Sequence, residues 1–192
     1  MTQIRTYCLL AVALLAAAFS GCRHQPQPTP PSYAGEFTTG YLEDYGAYYA
    51  EEGLFNRVFA LDLYSDGLTL NKKGYIEGSG TNLYFSDIFV DPQEKTLPAA
   101  TYEAAETGEP LTFLPGKHFE GQITGAYLLR ISDGSIVEMT ILPKGKLTLS
   151  YDGPEVILHF EGITYEKRAY TADFFGVFTK KNRTGSLKTK PI

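Results

Sequence analysis

Alternation of apolar and polar residues is the strongest signal in this chain. Between Val58 and Tyr64, Phe59, Leu61 and Leu63 fall on one face, and Ser65-Asp66-Gly67 then supplies a turn. Leu68 to Ile76 reads as a weaker strand interrupted at Lys72-Lys73-Gly74. Gly78-Ser79-Gly80 leads into Leu83 to Val90, a nearly continuous apolar strand. Asp91-Pro92 ends it, because proline has no N–H to give to a ladder. A short strand is predicted from Leu97 to Ala104, then a long loop over residues 106–121 around a short Leu111–Phe113 strand. Tyr127 to Ile131 alternates again and ends in a second turn, Ser132-Asp133-Gly134.

The last third is the most regular. Val137, Met139 and Ile141 share one face; Leu147, Leu149 and Tyr151 follow the Pro143-Lys144-Gly145 turn; Val156, Leu158 and Phe160 follow Asp152-Gly153-Pro154. Tyr170, Ala172, Phe174 and Phe178 complete the expected four-strand meander. A slip of one residue would turn the charged set inward, so the pattern specifies register. Near the start, Tyr33, Phe37, Tyr41, Tyr45, Tyr48 and Tyr49 crowd together. The first four are spaced by four, but Gly35, Gly40 and Gly46 interrupt a helix at about 1 kcal/mol each, so irregular strand and loop are expected. The fold expected is all-β: an antiparallel β-sandwich of about 8–10 strands, with a lipocalin-like barrel as the alternative.

The first residues read differently. Arg5 precedes an apolar run from Cys8 to Phe19, and small residues follow, as in a secretory signal. The run is about 12 residues, too short for a bilayer that needs roughly 20. Phe19-Ser20-Gly21-Cys22 resembles the lipobox of bacterial lipoproteins, with Ser20, Gly21 and Cys22 matching and Phe19 standing where Leu is usual. The resemblance implies that Cys22 carries a diacylglycerol and that its amine often takes a third acyl chain, a stable anchor. Arg23 stands where an inner-membrane retention Asp would, which points to the outer membrane, its periplasmic or surface side left open. Pro26, Pro28, Pro30 and Pro31 then form a semi-rigid spacer. The expected organisation is a signal over 1–21, a lipidated Cys22 and tether over 22–34, an all-β domain over 35–179, and a basic disordered tail over 180–192.

Composition narrows the chemistry. Both cysteines, Cys8 and Cys22, lie in the leader, so the domain is expected to rely on its apolar core without an internal disulfide. Of 17 basic residues only Arg5 lies in the leader, which leaves 16 against 22 acidic ones. That balance argues against nucleic acid as a partner. The basic cluster, Lys180, Lys181, Arg183, Lys188 and Lys190, sits at the end. His24, His118 and His159 lie far apart in sequence, and none has a second ligand at metal-binding spacing. His159 falls on the polar face of its strand. Gly78-Ser79-Gly80 is not a nucleophile elbow. Glu43-Asp44 and Glu51-Glu52 read as solvated surface pairs. No catalytic residue, metal or cofactor is therefore assigned.

Tyr41, Tyr45, Tyr48 and Tyr49 are the candidate binding surface, since tyrosine couples a rigid ring to a hydroxyl suited to sugars or peptides. Core filling and cross-strand pairing are the competing role for the same residues. Asn82-Leu83-Tyr84-Phe85 through Phe89-Val90, followed by Leu97-Pro98-Ala99-Ala100-Thr101-Tyr102, is similar to the small, mostly uncharacterised all-β lipoproteins of Bacteroidales. The resemblance implies no catalytic residues. The expected function is a membrane-anchored, non-enzymatic binding or structural module that engages a protein or glycan. The alternative is a carrier of a small apolar ligand.

Overall fold

The period-two stretches are strands. A computed structural model describes residues 33–186, and the leader, Cys22, most of the tether and the last six residues lie outside that range. Sixteen strands follow one another, with a single 3-10 turn at Ala50–Glu52. The all-β expectation holds. The larger sheet is mixed, however, not antiparallel throughout, because three of its pairings are parallel.

Those parallel pairings decide the architecture. The chain opens with β1 (Tyr33–Phe37) and β2 (Thr39–Gly46), two halves of one run divided only at Thr38. It closes with β15 (Ala169–Gly176) and β16 (Thr179–Asn182). β1 lies parallel to β15, with Tyr33 opposite Tyr170, and β2 lies parallel to β16, with Tyr41 opposite Thr179. On its other edge β2 is antiparallel to β3 (Arg57–Tyr64), which pairs with β6 (Gly80–Val90). The path runs on through β8 (Thr112–Phe113), β7 (Ala100–Ala104), β13 (Lys144–Asp152) and β14 (Glu155–Ile163) to β15. It thus comes back to the chain run from which it set out, and the sheet curls around its own core. Residues 33–46 were expected as irregular strand and loop, and Lys180 to Asn182 as part of the tail. Residues 33–37 pair with 170–174 and residues 41–44 with 179–182, across nearly the whole sequence, and local patterning carries no trace of it.

The meander is shorter than expected. β13, β14 and β15 are consecutive antiparallel neighbours, but β12 (Ser135–Ile141) pairs with β11 (Ala126–Ser132). Asp133 and Gly134, both at positive φ, close a two-residue hairpin that commits β12 to β11. The hairpin hangs from the Gly80–Phe85 half of β6. Two small hairpins complete the chain: β4 (Leu68–Leu70) with β5 (Ile76–Gly78), and β9 (Lys117–Phe119) with β10 (Gln122–Thr124).

Inward-facing residues fill the curl. Phe85 lies 5.2 Å, ring centre to ring centre, from both Phe113 and Phe160, and Phe160 lies 6.2 Å from Tyr170. Phe160 leans over the facing pair Gly145 and Gly162, where a Cβ would sit 2.6 Å from its ring. Gly40 leaves the same kind of room for Phe178 and Phe174. Tyr170 is 2% exposed, and its hydroxyl has no hydrogen-bond partner among the described residues. A buried donor of that kind carries a desolvation cost with nothing to offset it.

Phe160→Ala should therefore lower unfolding free energy by about 3–5 kcal/mol. Tyr170→Phe should be neutral or stabilising by up to about 1 kcal/mol. His159→Ala, on the exposed face, should change stability by less than about 0.5 kcal/mol. Urea unfolding of the three variants checks the ordering, and a large loss on Tyr170→Phe would show that its hydroxyl is bonded.

Candidate tyrosine–carboxylate site

The sheet has a second apolar cluster on its outer face, over β2, β3, β6 and β11. There Tyr45, Val58, Ala60, Tyr64, Tyr84, Phe89, Tyr127 and Leu129 are buried together. The β2–β3 connection brings Tyr48 and Tyr49 onto it, and Tyr41 packs at its edge. Cross-strand registry assembles its central row. Tyr41 stands opposite Asp62, Asp62 opposite Tyr84, and Tyr84 opposite Tyr127, so four neighbouring strands contribute one residue each. Directly opposed residues share a face.

A bulge adds the second carboxylate. Leu61 pairs with Phe85 but Phe59 pairs with Ile88, so β6 holds one extra residue at Ser86–Asp87. Phe85 and Ile88 both remain in the core, while Asp87 joins Tyr84 on the outer side. Asp87, only 4% exposed, accepts a 2.7 Å hydrogen bond from the Tyr49 hydroxyl and a second, short one from Ser86. Asp62 accepts from the Tyr64 hydroxyl and from the Asn82 amide, each at 2.6 Å. Tyr45 donates to Glu43 at 3.0 Å. The rings pack edge-on or tilted: Tyr84 and Tyr127 at 5.1 Å, Tyr48 and Tyr49 at 4.9 Å, Tyr45 and Tyr48 at 5.8 Å.

Burial first, then neighbouring negative charge, pushes these phenols above their ordinary range. For Tyr84 the added charges come from Tyr127, Asp62, Tyr45 and Asp87; for Tyr49 from Asp87; for Tyr64 from Asp62; for Tyr45 from Glu43. The phenols remain neutral, and Tyr45, Tyr49 and Tyr64 donate to Glu43, Asp87 and Asp62. Ring faces beside negative charge attract ammonium and guanidinium groups. The edge of the site already holds two. Lys181 places its Nζ 4.3 Å above the Tyr41 ring and 3.6 Å from Glu43, and Arg183 lies 3.2 Å from the same carboxylate. At the top of β2, Arg57 grips Asp44 through two hydrogen bonds of 2.9 and 2.6 Å, and the Gly46 N–H adds a third. Burial alone would raise the Asp44 pKa, but Arg57 and Gly46 together hold it below the usual value.

All four sequence-selected tyrosines thus come together, Tyr45 buried and Tyr41, Tyr48 and Tyr49 half-buried. They serve as packing and as polar surface at once. The sequence reading missed Asp62, Tyr64, Asn82, Tyr84, Asp87 and Tyr127. One signal was present: Asn82 and Ser86-Asp87 interrupt an otherwise apolar strand. His159 sits on the exposed sheet face, its Nδ1 2.7 Å from Asp173. Glu51 and Glu52 are exposed on the 3-10 turn. Among the described residues no group of three or more His, Cys, Asp or Glu could hold a metal ion, and no helix is long and apolar enough to cross a membrane.

Comparison with protein-family models, curated proteins and solved structures gives no match for this chain. Its class rests on its own architecture: an all-β protein with a curled mixed sheet, bearing a tyrosine–carboxylate cluster on the outer face.

Two titrations probe the site. Tyr45, Tyr49, Tyr64, Tyr84, Tyr102, Tyr127 and Tyr170 all have raised pKa values, so their contribution is complete below the ordinary 10.0 and is lost as pH climbs above it. Tyrosinate absorbance should show these seven ionising only as the β circular-dichroism signal collapses. Asp44 has the opposite sign. Its stabilisation is present above 3.8 and fades as pH falls through its lowered pKa. Asp44→Asn should cost about 1–2 kcal/mol at neutral pH and almost nothing in strong acid. Urea midpoints across a pH series check this, and a gap that stayed constant would contradict it.

Proposed function

We propose that this protein is a membrane-anchored extracytoplasmic lipoprotein acting as a non-enzymatic binding module, with the tyrosine–carboxylate face as its binding surface. The observation that carries the binding assignment is the half-buried rim of Tyr41, Tyr48, Tyr49, Glu43 and Asp62, backed by buried Tyr84, Tyr127 and Asp87. Neutral phenols held against carboxylates suit a partner that presents ammonium or guanidinium groups over ring faces. Lys181 on Tyr41 and Glu43 is an example of that contact within the chain itself. The interior carrier is the less favoured reading, because rings from Phe85, Phe113 and Phe160 occupy the middle of the curl. Anchoring rests on the Ser20-Gly21-Cys22 motif and the proline-rich spacer after it.

Two experiments test this. Cys22→Ala should abolish labelling by a fatty-acid analogue and release the chain from membranes; retention of both would remove the anchor. Binding of the full chain to a panel of lysine-rich, acidic and neutral peptides and of glycans should favour the lysine-rich peptides. Asp62→Asn should weaken that binding about tenfold, equivalent to about 1.4 kcal/mol. Equal affinity for acidic peptides, or an unchanged Asp62→Asn variant, would refute the assignment of this face.

A further inference from the structure

Tyr165 is 67% exposed, the highest value among the large apolar side chains described, and Ile163 beside it is 44% exposed. They flank the turn between β14 and β15, and the backbone holds that turn firmly. The buried Thr164 accepts from the Lys167 N–H through its carbonyl and from the Arg168 N–H through Oγ1, and it donates its own N–H to the Arg168 carbonyl. Tyr165 donates its N–H to the Ile141 carbonyl at 3.0 Å. The ring is thus displayed outward from a fixed loop. Lys144, opposite Ile163 in the register, and Lys167, within the turn, are both exposed.

The position of this turn matters because of where the chain enters the sheet. β1 is parallel to β15, and Tyr33 is level with Tyr170, so the tether arrives at the β14–β15 turn. The far end of the same strand pair carries Ile157 and Phe175, about 20 Å away at roughly 3.3 Å per residue. Eleven residues lead from Cys22 to Tyr33, a span of at most about 34 Å in a proline-rich conformation. A tether that short keeps the turn at high effective concentration near the bilayer, so even a weak contact is populated.

We propose that the β14–β15 turn docks on the lipid surface that holds the anchor. Tyr165 and Ile163 enter the headgroup region, and Lys144 and Lys167 reach lipid phosphates. Tyrosine is suited to that boundary by its apolar ring and polar tip, and lysine extends a charged end from an apolar stem. Exposed Glu166 in the same turn opposes the charge attraction, so apolar insertion leads. Docking fixes the orientation of the domain above the membrane. The inference rests on acylation of Cys22 as proposed above.

The chain has no tryptophan, so one introduced residue is a unique reporter. The acylated full chain would be prepared as Tyr165→Trp and, separately, as Phe175→Trp at the far end, and reconstituted into phosphatidylethanolamine–phosphatidylglycerol vesicles containing brominated lipid. Insertion of an interfacial group to about 5–10 Å should quench the Tyr165→Trp variant at least about twofold more than the Phe175→Trp variant. Equal quenching of the two in vesicle-bound chain would overturn the docking and leave the anchor standing. Failure of the chain to take up a fatty-acid label or to stay with vesicles would overturn both.

Discussion

The return of the chain to its own beginning is the constraint on which this architecture depends. β1 and β2 form a single run, inserted between the β15–β16 run on one edge and β3 on the other. Without that run the sheet would have two long unpaired edges, and exposed edges invite pairing with other chains. With it, the curl encloses Phe85, Phe113, Phe160 and Tyr170. The outer side of β2 and β3 is also fixed in place beside β6. One set of parallel hydrogen bonds between the two ends of the chain thus shapes both the core and the surface beyond it.

That surface is unusual in combining a buried apolar cluster with paired carboxylates. Outer faces of sheets are normally polar and solvated, whereas here Tyr84, Tyr127 and Leu129 are buried on that side. Acids out of water are costly unless hydrogen-bonded, and half-buried Asp62 accepts from Tyr64 and Asn82 while buried Asp87 accepts from Tyr49 and Ser86. The Tyr49, Tyr64 and Ser86 hydroxyls are among those donors. Lys181 of β16 and Arg183 just beyond it pair with Glu43 at the edge, so the strand that helps close the sheet also brings a cation to this face.

The β13–β15 meander was legible because each strand alternates cleanly, with Leu147, Leu149, Val156, Leu158 and Phe160 all inward as expected. His159 was legible for the same reason. The Tyr41–Tyr49 cluster was visible as composition, but its dual character was not. Asp62 and Tyr64 lie on the polar-looking alternates of a strand whose other face carried the signal, and Asp87 is displayed by a bulge that no alternation rule foresees. The expected pairing of β12 with β13 failed because β13 has β14 on one edge and β7 on the other, while the tight hairpin joins β12 to β11.

Local side-chain periodicity was enough to establish most of the strands and turns and the register of the β13–β15 meander, since each depends on residues a few positions apart. The joining of the first and last described strands, the three parallel pairings and the gathering of Asp62, Asp87 and the tyrosines on one face depend on residues paired across up to 138 positions. Such contacts form only when the sheet curls, because it is the curl that brings distant strands within hydrogen-bonding distance.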